Sequence, residues 1–163
     1  VVAQNVAFWI IAVVMAVAAL GVVTMKNIVH AALALVVVLA GVAAQYILLQ
    51  AEFVGIVQVL IYIGAVIVLF LFGIMLTRAP MRKSSEFDND QRVLAGLVSL
   101  LIFGVLASLL WGQFSGAKLH LTQPTPTGAV ADSIFRTYVV AFEVVSMLLL
   151  GALVGAIVLA RRD

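Results

Sequence analysis

The chain contains no cysteine, three prolines, two histidines and few charged residues, and each scarcity removes a class of function. Without cysteine it can form no disulfide, hold no cysteine-ligated iron–sulfur cluster and build no thiolate zinc site, so any redox cofactor must belong to a partner. Charged residues make up 10% of the chain, against roughly 25% in ordinary soluble domains. No phosphate-binding Walker loop, dinucleotide fingerprint or nucleophile elbow occurs in the sequence. His30 and His120 fall on opposite sides of the membrane in the topology that the charges predict, so they cannot share a metal.

What is present is apolar surface. Hydrophobic residues account for 66% of the 163 positions and mean hydropathy is +1.29, more than a soluble core of this size can use. The apolar residues fall into five runs, roughly 6–24, 31–49, 53–76, 93–111 and 138–160. Each is about 18 to 24 residues long, enough to cross a bilayer as a helix. The expectation is therefore an all-α integral membrane protein with a single membrane domain. The first run has no basic stretch before it and Lys26 after it, so it reads as a retained helix and not as a cleaved leader.

The net charge of +2 does not indicate nucleic acid, because the basic residues stand at the ends of apolar runs. They act as topology signals. With the N-terminus outside, Lys26, Arg78, Arg82, Lys83, Arg92, Arg161 and Arg162 lie on the cytoplasmic side, and Lys118 and Arg136 lie outside, seven against two. This predicts an N-out, C-in chain with a cytoplasmic loop over 77–92 and an outer loop over 112–137. The short connections at 25–30 and 50–52 make the first three helices antiparallel neighbours in a compact unit. Pro80 ends the third helix by removing a backbone donor. The charges of the 78–92 loop describe either a solvated face or a docking site for a soluble partner. Outside, Pro124 and Pro126 favour extended backbone, and Asp132 is placed to cap a short helical turn before the fifth span.

The chemistry concentrates in Glu52–Met75, EFVGIVQVLIYIGAVIVLFLFGIM. Gln58 and Tyr62 are four residues apart on one helical face, where amide and phenol can bond each other, a facing helix or a chain of waters. Glu52, at the outer end, is either an interfacial carboxylate or part of the same polar route. Gly64 stands beside the β-branched run Val66-Ile67-Val68 after Ala65, a place able to accept a kink or a π-bulge. Glu143 lies about five residues inside the fifth span. A carboxylate in hydrocarbon costs roughly 2.5 to 3.5 kcal/mol or more, so it must face protein or water. It either reaches water or a backbone group near the interface, or it serves a proton path. Gly151 and Gly155 form a small-xxx-small seam suited to close helix packing. One intramembrane carboxylate with two uncharged polar groups is a thin set for a self-sufficient pump. The chain therefore reads as one component of a larger membrane machine, and no catalytic residue is assigned within it.

These residues also carry a resemblance. Tyr62-Ile63-Gly64-Ala65 with Val68-Leu69-Phe70, the turn Lys26-Asn27-Ile28-Val29-His30-Ala31-Ala32-Leu33, and Ala141-Phe142-Glu143-Val144-Val145-Ser146 through Val154-Gly155-Ala156 and Arg161-Arg162 closely resemble the chain 6 family of respiratory complex I, subunit J of bacterial NADH-quinone oxidoreductase. The resemblance implies a non-redox subunit in a bacterial inner membrane. It implies that NADH, FMN, iron–sulfur clusters and quinone are handled by other chains, and that the neighbours include membrane subunits A, H, K and N. It also implies that the third helix changes between a bulged and a regular form at Tyr62 and Gly64, opening a hydrated path between the quinone end and the pumping subunits. Gln58, Glu52 and Glu143 are further water-contacting candidates. Two other classes fit the same residues: a membrane subunit of a related cation/proton antiporter or membrane-bound hydrogenase, and a homo-oligomeric transporter or channel.

Overall fold

In a computed structural model, residues 2–76, 91–116 and 125–161 are described. Arg78, Pro80, Arg82 and Lys83 of the loop expected on the cytoplasmic side, together with Lys118, His120, Pro124 and Arg162, lie outside them. The described residues are helical apart from short turns, and five helices are long and apolar enough to cross a membrane: Val2–Thr24, Ile28–Leu48, Glu52–Leu76, Val93–Phe114 and Val139–Ala160. They are numbered first to fifth in chain order.

The first three pack against one another as one unit. Asn27 ends the first connection in an extended conformation, and its side-chain oxygen accepts a hydrogen bond from the Val29 N–H at 2.9 Å. This cap starts the second helix at Ile28, three residues before the apolar run at 31. The other end of that helix closes with Gln50 at φ 61°, a left-handed conformation. The Gln50 N–H then donates to Ile47 O at 3.0 Å and the Ala51 N–H to Tyr46 O at 2.9 Å. Those two bonds satisfy carbonyls that the helix end would otherwise leave free, and they offset the roughly 1–2 kcal/mol that a non-glycine residue gives up in this conformation. The chain reverses within Leu49-Gln50-Ala51, and the third helix begins at once at Glu52.

Small residues set how closely the helices approach. Ala32, Ala34 and Ala43 of the second helix are its buried residues. Gly55 seats the third helix against the second: a methyl group there would stand 3.1 Å from Ile47 Cγ1 and 3.4 Å from Ala43 O. Gly41 seats the first, since a Cβ at that position would overlap Met15 at Cγ and lie 2.8 Å from its Sδ. Overpacking of this kind costs about 1–3 kcal/mol. Gly41→Val is expected to lower the yield of intact protein in mild detergent several-fold, with Met15→Ala in the same chain recovering most of it. Fluorescence-detected size exclusion checks this, and an unchanged yield in the single variant would show that the first two helices do not depend on this contact.

The fourth and fifth helices behave differently. Among the described residues the fourth contacts no other element, and the fifth contacts only the segment that leads into it. The chain exposes 13982 Å², whereas a compact monomer of 17.3 kDa exposes roughly 7,800 Å². Two of the five spans thus have no neighbouring span among the described residues and must be surrounded by lipid or by other chains.

In the segment before the fifth span a short helix runs Thr127–Asp132, preceded by Pro126 in an extended conformation, and Asp132 is its last residue. Asp132 also immediately precedes the turn Ser133–Thr137 that leads into the fifth helix, but it has helical backbone angles and its side chain makes no capping hydrogen bond there. Its carboxylate pairs with Arg136 at 3.5 Å. Both side chains are exposed, so the pair contributes little.

Candidate functional site

The third helix is not uniformly α-helical. Glu52–Val57 is α, Gln58–Val66 is π, and Ile67–Leu76 is α again. The Ile67 N–H donates to Tyr62 O, five residues back, in place of the usual four. Nine consecutive residues in this wider winding are uncommon, because π-helix usually appears as single-turn bulges and frequently at functional sites. The local sequence favours it. Val59, Ile61, Ile63, Val66 and Ile67 are β-branched and crowd a regular helix, while Gly64 has no Cβ to obstruct a wider turn. A Cβ placed at Gly64 would meet Val59 O at 3.4 Å and, beyond the adjoining backbone of its own helix, no other atom within 4 Å. That carbonyl is five residues back, so the contact belongs to the π winding itself.

This winding separates Gln58 from Tyr62. Gln58 is 8% exposed, the one polar residue buried among the described residues, whereas Tyr62 is 49% exposed and faces away from the three-helix unit. No hydrogen bond joins the two side chains. Inside the chain, then, the amide lies within the unit and the phenol on its outer wall, available to whatever packs there. Ile67, where α-helix resumes, is 4% exposed and anchors the C-terminal half of the helix.

The remaining candidates lie apart from this segment. Glu52 is exposed in the first turn of the third helix, where a negative charge interacts favourably with the helix dipole. Glu143 is exposed on the fifth helix, one turn from its start at Val139, and no side chain of the described residues pairs with it. Gly151 and Gly155 have open space around them, with nothing within 4 Å of an added Cβ. Their seam is thus available to a helix of another chain. Among the described residues no three of His, Asp and Glu converge as a metal site.

One polar residue near the C-terminal end of the second helix was not singled out in the sequence. The Gln45 side chain donates from Nε2 to the backbone oxygen of Phe8 at 3.3 Å, joining the second helix to the first, while its Oε1 is enclosed without a hydrogen-bond partner. A glutamine inside an apolar span carries the signal, but its position beside Tyr46 near the helix end reads equally as an interfacial residue.

These features define a class: an all-helical, multi-pass membrane protein whose built-in irregularity is a π segment in its third span and whose last two spans lack partner spans among the described residues. Comparison with known proteins gives the family. Residues 18–159 match the model of NADH-ubiquinone/plastoquinone oxidoreductase chain 6, and the chain belongs to that family. It is 38% identical to the F(420)H(2) dehydrogenase subunit J of Methanosarcina mazei, over 98% of this chain and 92% of the relative. It is 39% identical to the NAD(P)H-quinone oxidoreductase chain 6 of Synechocystis, over 98% and 82% respectively. With the chloroplastic NAD(P)H-quinone oxidoreductase subunit 6 of Nephroselmis olivacea it shares 38% identity, over 88% and 85%. The chain is accordingly a membrane subunit of a multisubunit quinone oxidoreductase of the complex I type.

Proposed function

We propose that the chain couples quinone reduction to proton translocation without itself carrying redox chemistry. The observation that bears most weight is the π segment over Gln58–Val66, which sets a buried amide and an exposed phenol on either side of a backbone able to change winding. Converting one π turn to α removes one residue from the bulge and rotates the residues beyond it by roughly one residue's turn, about 100°. Tyr62 and Gly64 are the switch positions. Gln58, Glu52 and Glu143 contact the water path that the switch opens.

Electron donors, FMN, iron–sulfur clusters and quinone belong to other subunits. The names of the relatives support this division: chains of similar identity belong to complexes named for F(420)H(2) and for NAD(P)H, so the reductant varies while this membrane subunit is retained. NADH is the donor proposed here. Subunits A, H, K and N are the proposed neighbours, and the open fourth helix and Gly151/Gly155 seam are surfaces that such neighbours can cover. The proposed setting is a bacterial inner membrane with the N-terminus outside.

Purification in mild detergent through a tag on this chain tests the reading. The expected product is a complex that reduces quinone with NADH and acidifies the lumen of inverted vesicles. Recovery of identical chains alone, with ion flux in liposomes, would overturn it in favour of a transporter. In the same cells, cysteines placed at Ser84 and Thr125 should label from opposite faces, Thr125 from outside. Labelling of both from outside would refute the orientation and the residue roles that depend on it.

A further inference from the structure

We propose that the outer segment Thr127–Thr137 is a brace that holds the outer turn of the third helix and ties the fifth helix to it, so that the ease with which Gln58–Val66 changes winding is set partly from outside the membrane core. The proposal deepens the coupling role above. Its physical part, the brace, stands or falls independently of that role.

Three observations carry it. First, among the described residues the fifth helix touches no other span, and its link to the three-helix unit runs through this segment alone. The short helix Thr127–Asp132 lies against Glu52–Val57, immediately before the π segment, and its Val130 and Ala131 are partly buried while the rest of that helix is exposed. Second, the join between brace and fifth helix is structured. Ser133–Thr137 is itself a π turn, closed by the Tyr138 N–H donating to Ser133 O at 3.0 Å. Across that bend Phe135 meets Phe142 edge to face, with ring centroids 5.1 Å apart. Aromatic pairs of this geometry hold more than their buried area alone would. Third, the same turn also packs on the second helix at Gly55. A turn held by two elements resists the rotation that a change of winding imposes on its neighbours more than a turn held by one.

Phe142 lies next to Glu143 in sequence, so the brace also fixes where the fifth helix starts relative to the third, and with it the depth of the Glu143 carboxyl. The segment therefore acts as a positioning element and not as a group that handles protons.

Hydrogen exchange with mass spectrometry on the intact, assembled complex tests this. Val130→Ala, which removes packing, and Ala131→Asp, which places a charge in the contact, are expected to raise exchange in peptides covering 58–66 by about tenfold, leaving peptides from 28–48 unchanged. Wild-type exchange at 58–66 in assembled Val130→Ala and Ala131→Asp complexes would overturn the brace. Where Ala131→Asp fails to assemble, cysteine pairs joining Phe53 or Ile56 to Gly128, Ala131 or Ser133 take its place. At least one pair should be joined by a short bismaleimide, and joining it should slow exchange at 58–66. Absence of any cross-link, or a cross-link without effect on exchange, overturns the proposal. The ratio of protons moved to electrons passed separates the two readings. A loosened 58–66 with an unaltered ratio keeps the brace and removes its link to coupling, and an unresponsive 58–66 removes the brace while leaving the Tyr62–Gly64 switch untouched.

Discussion

In a fully assembled complex, Gly64→Val is expected to lower NADH-driven proton translocation by about tenfold or more, while NADH oxidation by artificial electron acceptors, which bypasses the membrane arm, stays at the wild-type level. The reason lies in the winding. In the π form a Cβ at position 64 already stands 3.4 Å from the Val59 carbonyl oxygen, an ordinary contact that alanine can make without strain. Valine adds two methyl groups on that Cβ, and one of them is driven toward the carbonyl or into the preceding turn. In the α form the carbonyl five residues back is no longer the facing group, and valine keeps its usual helical rotamer. The substitution therefore opposes the π form selectively. An overlap costing about 1–3 kcal/mol shifts a two-state ratio by roughly 5- to 150-fold. Gly64→Ala is the control, expected to couple at close to the wild-type level because its single methyl fits both windings. Complex assembly must be shown by native gel for each variant, since no other span among the described residues covers position 64 and a partner helix that does would produce the same loss by failing to pack. Normal pumping by assembled Gly64→Val enzyme, or an unbroken α-helix through 58–66 in every functional state, would return Gly64 to the role of an ordinary small residue.

Much of this architecture is readable from apolar runs, because a bilayer demands about 20 apolar residues per crossing and leaves few other ways to satisfy the backbone. The five helices follow from that alone. Where their ends moved, a local hydrogen bond moved them: Asn27 starts the second helix early by accepting from Val29, and Gln50 stops it by turning left-handed. The π segment was legible as a tendency, from Gly64 beside β-branched residues, but not in its length back to Gln58. An extra residue per turn leaves no mark in a sequence that is apolar on every side. The same uniformity hid the relation of Gln58 to Tyr62, which share a face at 3.6 residues per turn and part company in the wider winding. It also hid which spans pack within the chain. The first three have short connections that force them together, while the fourth and fifth read no differently in composition yet find no span to lean on among the described residues. Their neighbours are written in the sequences of other subunits.

Glu143→Gln is the substitution that separates a structural carboxyl from a proton-carrying one, and it is expected to leave assembly intact while lowering proton translocation more than tenfold. Glu143 sits one turn into a span, exposed and without a side-chain partner among the described residues. An unpaired carboxylate facing hydrocarbon at that depth would cost up to roughly 2.5 to 3.5 kcal/mol. Because no span of this chain faces it among the described residues, a polar group of a neighbouring subunit or the water between them must supply what it needs. Glutamine preserves length and one accepting oxygen while turning the other position into an N–H donor, so a carboxyl that merely accepts from a neighbouring backbone N–H is replaced at little cost. What glutamine cannot do is bind and release a proton. Glu143→Asp retains that ability with a shorter reach and should recover part of the activity, whereas Glu143→Leu should both stop translocation and reduce assembly by leaving the neighbour's polar group unpaired. The decisive comparison is between Gln and Asp in assembled complexes, with the rate of lumen acidification measured alongside quinone reduction. If Gln pumps at the wild-type rate, the carboxyl is structural, and the proton path must pass the third helix without it.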